Sequence, residues 1–306
     1  MRKRTTLLCA VATASIGLLA TSAYAVPASA KPATPKLCAS PTTAMTHSQV
    51  KARSRQIHQK LFQMAEAGMT YSQMVAPLAK LCVRMGAAAA ADADASVIVI
   101  PLSTLDGGRV NGTSGGKVAS NSTTGSSIVV STPIIAYDTQ AHIYYATAQW
   151  HFSNSAIGQL CGEVDGGVCN LCNGCNVGGY DSFGLVYNHA VSITGEDATR
   201  WGWTSHYGPA SMPIGYADSY GEVFKDQDRF NNDYGDYSMY NGEAVEDLSS
   251  SSIVCTGLGT YVRSSYGHDW SSTTISSFSI GPAGIGIGWS SSSHRWQVYS
   301  HEGIYC

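Results

Sequence analysis

The 306-residue sequence predicts an antiparallel β-sandwich or jelly-roll-like domain, preceded by a small basic helical hairpin and a signal peptide. Three observations carry that fold class. Only 13% of the side chains are charged against 44% hydrophobic, so Ser, Thr, Asn, Gly and Tyr must build most of the surface. From Ser96 onward, short β-branched and aromatic runs alternate with Gly- and Ser-rich turns and show almost no helical period. Ahead of that point, two helix starts are spelled out residue by residue. This composition excludes a disordered chain, a coiled coil and a collagen-like repeat.

Residues 1–30 read as a secretory signal peptide. Arg2, Lys3 and Arg4 form its basic start, Leu7 to Leu19 its apolar run, and cleavage is expected after Ala25 or Ala30. No later stretch reaches the roughly 18 apolar residues of a spanning helix, so a secreted, extracellular protein without a transmembrane segment is expected. Eight of the nine Cys lie beyond the signal: Cys38, Cys82, Cys161, Cys169, Cys172, Cys175, Cys255 and Cys306. An even set in an exported chain reads as disulfides. Cys38–Cys82 and Cys255–Cys306 are the preferred pairs, with the other four pairing among themselves. The spacing Cys169-x-x-Cys172-x-x-Cys175 also suits a metal cluster, but export favours a stapled surface loop.

The net charge of −3 divides unevenly: residues 31–85 stand at +7 and residues 86–306 at −13. Residues 31–95 form the basic helical segment with its Ala-rich linker, a candidate propeptide, and residues 96–306 the disulfide-bonded all-β domain. Thr46-x-x-Gln49 and Thr70-x-x-Gln73 are capping boxes. Val50, Ile57, Leu61 and Met64 share one helical face, Gly68 ends that helix, and Pro77 kinks or shortens the second. Export, a bridge at Cys82 and Pro77 argue against a DNA-binding helix-turn-helix, so no nucleic-acid partner is expected.

In the main domain, Ser127–Tyr137 and His142–Phe152 predict a strand pair. Further strands are expected at Phe183–Asn188, Gly221–Phe224, Tyr237–Tyr240, Gly259–Tyr266, Thr273–Ile280, Gly284–Trp289 and Trp296–Ser300. The main domain holds all 6 Trp. Trp150, Trp289 and Trp296 lie on strands and read as core. Trp201, Trp203 and Tyr207 fall in a Gly/Pro-bounded loop, and with Trp270 they are the candidate ligand-binding aromatics. Asp226, Asp228, Asn231, Asp233 and Asp236 place five oxygen side chains within eleven residues, a candidate Ca²⁺ site without EF-hand spacing.

No nucleophile elbow and no HExxH motif occurs, and neighbouring residues such as His268 and Asp269 point to opposite faces of a strand. The leading expectation is therefore a secreted protein that binds a glycan or a cell-surface partner. A glycan-active hydrolase made with a propeptide is the second. A pore former using the uncharged hairpin over residues 271–293 is the third.

Overall fold

The computed structural model describes residues 38, 44–85, 100–101, 123–165, 171–256 and 259–304. Residues 1–30, read above as a signal peptide, lie outside the described residues, as do the linker from Gly86 to Ala95, Cys169 and Cys306.

Two helices open the described chain, α1 (His47–Glu66) and α2 (Tyr71–Lys80). Both capping boxes close. The Gln49 side chain accepts the Thr46 N–H at 2.8 Å, and Gln73 accepts that of Thr70 at 2.8 Å. Gly68 turns left-handed at φ +69°, a conformation a side chain resists, and this separates the helices. Pro77 lies inside α2, which ends three residues later at Lys80. The Cys38–Cys82 disulfide ties the hairpin's exit to the chain before it.

Among the described residues, the strands form two antiparallel sheets and one separate hairpin. The first sheet runs β1 (Val83–Met85), β4 (Ile134–Asp138), β5 (Ile143–Phe152), β12 (Asn241–Leu248), β7 (Ile193–Trp201) and β8 (Ala210–Ser211), with β3 (Ile128–Val130) also on β5. The second runs β11 (Asp236–Tyr237), β10 (Gly221–Asn231), β6 (Asn173–Tyr187), β13 (Tyr261–Asp269), β16 (Arg295–Tyr299) and β2 (Ile100–Pro101). There β9 (Ile214–Asp218) joins β10 and β17 (Gly303–Ile304) joins β13. Alternation along each strand sends one set of side chains between the sheets. Val130, Ala148, Trp150 and Phe152 from the first sheet thus meet Phe183, Leu185, Phe224 and Tyr266 from the second in one buried core. Trp150 needs the bare backbone of Gly242, where a Cβ would come within 2.0 Å of its ring.

The outer faces are covered as well. Ile57, Leu61, Met64, Tyr71, Met74 and Leu78 of the helices pack on Ile134, Ala136, Tyr145 and Val245 of the first sheet. Strand β1 then continues from α2 as an edge strand of that sheet, pairing Val83 with Asp138. Arg53 binds Asp138 at 2.6 Å, and His58 binds Asp247 at 2.6 Å. Burial alone would lower the His58 pKa, but Asp197 and Asp247 push it up to about 9. Across the molecule, β14 (Ile275–Gly281) and β15 (Gly284–Trp289) form a hairpin over the second sheet. Ile285 packs on Val186 and Val223 there.

Four expectations change in detail. The strand expected over Ser127–Tyr137 is two, β3 and β4, separated at Pro133, which has no N–H for the ladder. The segment Cys172–Cys175 is stapled by a disulfide, as expected, but it is no surface loop: β6 begins within it, with Cys175 opposite Phe230. A short helix, α3 (Ala156–Gly162), interrupts the β pattern after β5. Strand β7 is additional, and Trp201 is its last residue rather than a loop residue. Cys161 and Cys255 are also disulfide-bonded.

Candidate functional site

The turn between α1 and α2 overhangs the first sheet where β3, β5, β12 and the end of β7 come together. Two adjoining cavities open beneath it, of about 400 and 600 Å³. Trp201, His151 and Asn241 line both. Tyr71, Ser131 and Gln149 line the first, and Trp203, Thr204 and Tyr207 the second. Trp203 is 48% exposed, and its ring meets Tyr240 edge-on at 5.1 Å. The Trp201 indole is half-buried against the helix-packed core.

What fixes this aromatic loop is Asp236, at the start of β11 and fully buried. Its carboxylate accepts the N–H groups of Trp203 at 2.6 Å, Thr204 at 3.0 Å and Tyr207 at 3.0 Å. The Thr204 hydroxyl adds a bond at 2.8 Å. A carboxylate holding several backbone donors sets a loop's shape without regular structure. Asn231 helps by accepting from Asp233 N and Tyr234 N while its amide reaches His206 at 3.1 Å.

The five residues grouped for Ca²⁺ are thus put to different uses. Asp226 pairs with Arg200 at 2.7 Å, Asp228 points into the core, Asn231 caps the turn in which Asp233 sits, and Asp236 organises the Trp203 loop. Asp226 and Asp228 are two apart on β10, where the register shifts between Gln227 and Arg229, and the end of β10 and the turn after it carry Asn231, Asp233 and Asp236 away from them. Trp270 is not beside Trp201 and Trp203 either. It is 6% exposed and stacks on His268 at 5.5 Å, because the chain after β13 folds inward over the end of the sandwich.

A second constellation lies between the sheets. Asp181 on β6, Asp228 on β10 and His268 on β13 are all fully buried. His268 Nδ1 lies 2.8 Å from Asp181, and its Nε2 lies 3.2 Å from Glu163, the residue that ends α3. Tyr237 contacts both aspartates, at 2.7 and 2.6 Å, and Tyr266 donates to Asp181 at 2.5 Å. Burial, reinforced by the charge of Asp181, raises the Asp228 pKa well above the carboxylate range. Burial lowers that of His268, yet Asp181 and Glu163 raise it well above its ordinary value. Asp269, the sequence neighbour of His268, faces the other way and accepts the Gly179 N–H at 2.7 Å.

At the opposite end of the inner row, Tyr187 donates to Glu246 at 2.6 Å. Burial and the nearby Glu196 push Glu222 up to about 7. One oxygen of Glu222 and one of Glu246 have no hydrogen-bond partner. Sequence reasoning missed both buried clusters. The available signal was period two: Asp181, Phe183, Leu185 and Tyr187 alternate on one face, as do Tyr266 and His268.

Fold and groove together define a class, a helix-backed antiparallel β-sandwich with an aromatic cleft at the helix–sheet junction. Set against known protein families, curated proteins and solved structures, the chain matches none.

Proposed function

We propose that this chain is an exported binding protein whose cleft takes an uncharged glycan. The observation that carries the reading is the lining of the two joined cavities. Trp201, Trp203 and Tyr207 offer ring surface, while Asn241, Gln149, Ser131 and Thr204 offer amides and hydroxyls. A sugar ring presents an apolar C–H face and a rim of hydroxyls, and it needs both kinds of partner. Neither cavity is lined by Lys or Arg, and Glu66 is the one carboxylate among the lining residues. That lining suits a neutral ligand better than an anionic polymer. It also lacks the second carboxyl that a glycosidase needs across a cleft. Disulfides and the signal-like start support export, and no helix among the described residues is long and apolar enough to cross a membrane.

Retention on a neutral glycan array and on insoluble polysaccharides tests the reading. Trp203→Ala is the cleaner variant because Trp201 also packs beneath the helices. Losing one stacking ring of this kind costs on the order of 2 kcal/mol, so affinity should fall about 30-fold. No retention by the parent chain, or equal retention by Trp203→Ala, refutes it.

A further inference from the structure

We propose that the sandwich interior holds a divalent transition-metal ion, ligated by Asp181, Asp228 and His268. The geometry comes first. One ligand atom from each residue lies within 4.8 Å of the others, close enough for a single ion to reach all three. Each comes from a different strand, β6, β10 or β13, and strand pairing holds the three backbones in register. All three residues are closed to solvent. Of the five residues the sequence grouped for Ca²⁺, Asp228 alone belongs to this set.

The charges come second. With Glu163 there are three carboxylates around one imidazole, each fully or almost fully buried. Removing carboxylates from water costs several kcal/mol each unless a cation or a proton meets their charge. The Tyr237 oxygen lies 2.7 Å from Asp181 Oδ2 and 2.6 Å from Asp228 Oδ2, yet a hydroxyl has one proton to give. Tyr266 serves Asp181 Oδ2 at 2.5 Å, which leaves the Tyr237 proton for Asp228, and the two carboxylate oxygens still converge on one point that a cation would share between them.

The third observation lies beyond the ligands. Glu163 receives His268 Nε2 at 3.2 Å and is itself held by the Thr123 N–H at 2.5 Å and hydroxyl at 2.8 Å. Trp296 donates to that hydroxyl at 3.1 Å. A carboxylate behind a histidine fixes its tautomer: with the proton on Nε2, the Nδ1 lone pair faces the two aspartates. One nitrogen and two carboxylate oxygens suit Zn²⁺ or Mn²⁺, whereas Ca²⁺ asks for six to eight oxygens. Lacking an open path to solvent, the ion is structural: it ties three strands of the second sheet together.

The test uses the full exported chain. Elemental analysis of the purified protein should find about one Zn²⁺ or Mn²⁺ per chain. Dialysis against a chelator should lower the Tm by about 5 °C or more, and adding back Zn²⁺ or Mn²⁺ alone should restore it. Asp228→Asn separates this from a metal-free core in which Asp228 simply carries a proton. Asparagine mimics a protonated aspartate, so a metal-free core would keep its Tm. The ion site predicts that the variant loses its metal and melts at the chelated protein's temperature. If Asp228→Asn fails to fold, metal content and chelator response of the parent chain still decide. A metal-free parent whose Tm neither ion moves overturns the proposal.

Discussion

Replacing Glu243 by Gln should change how this protein's stability depends on pH. Glu243 lies on the outward face of β12, sealed beneath the helical hairpin. One oxygen accepts the Thr147 hydroxyl at 2.6 Å, and the other has no hydrogen-bond partner. Burial pushes its pKa from 4.5 up to about 7, although the Thr147 hydroxyl, the Gln149 amide nearby (itself outside hydrogen-bond geometry) and the charge of His58 pull the other way. The folded state therefore holds this proton more tightly than the unfolded chain. Its contribution is fully present below the unfolded pKa of 4.5 and is lost as the pH rises through about 7. At 1.36 kcal/mol per tenfold change in proton affinity, ionised Glu243 costs the fold roughly 3 kcal/mol at alkaline pH. In Glu243→Gln the amide oxygen keeps the Thr147 bond, and an unpartnered NH₂ takes the place of the free oxygen. That defect costs about 1–3 kcal/mol at every pH. Glu222 and Asp269, also pushed up to about 7, titrate in both proteins and cancel in the difference. Urea unfolding across the acidic-to-alkaline range should therefore show the variant gaining roughly 3 kcal/mol on the parent as Glu243 ionises. Parallel stability–pH curves would refute the reasoning.

Two further expectations concern what holds the cleft's walls. The Cys38–Cys82 bridge spans 44 residues, and closing a loop of that length removes about 4 kcal/mol of unfolded-state entropy. A Cys38→Ser/Cys82→Ser variant should lose stability of that order in urea melts. Asp236→Ala strands the three N–H groups that its carboxylate now receives from Trp203, Thr204 and Tyr207. Proteolytic nicking between residues 202 and 209 should rise at least tenfold, while the far-UV circular dichroism stays that of the parent.

The helical hairpin was legible because its signals are local: a capping box is complete within four residues, and both boxes form. The strand at His142–Phe152 was legible for a related reason, since one face of a strand can be read by skipping every second residue. The start of β6 was not. Asn173 to Gly179 reads as a loop, and only pairing with β10 makes it a strand, so tertiary context overrides poor local propensity. The buried cluster was hidden for a stronger reason. His268 meets Asp181 across 87 residues and Glu163 across 105, and no local pattern records such a meeting. Trp270 misled because a Gly- and Ser-rich neighbourhood resembles an exposed loop, whereas the ring closes the core over His268.

The opposite charges of residues 31–85 and 86–306 are of the signs that would attract, yet the contact between the described parts rests on other forces. Arg53 and His58 reach carboxylates, while Lys51 and Arg55 remain exposed. Six buried side chains, Ile57, Leu61, Met64, Tyr71, Met74 and Leu78, lie on the helical side of the contact. At roughly 1.5–3 kcal/mol each they contribute on the order of 10 kcal/mol, several times what the ion pairs add. Docking of this kind is a packed apolar contact, and β1 makes it continuous with the first sheet. It also binds two functional readings into opposition. The cleft has one wall from the α1–α2 turn, at Gly68, Met69 and Tyr71, and the other from Trp201 and the Trp203 loop. Excising residues 31–95 as a propeptide would remove the first wall and uncover Glu243 and Asp247. A mature chain that begins near Ser96 therefore cannot bind a glycan in this cleft, and one that begins near Lys31 keeps both walls.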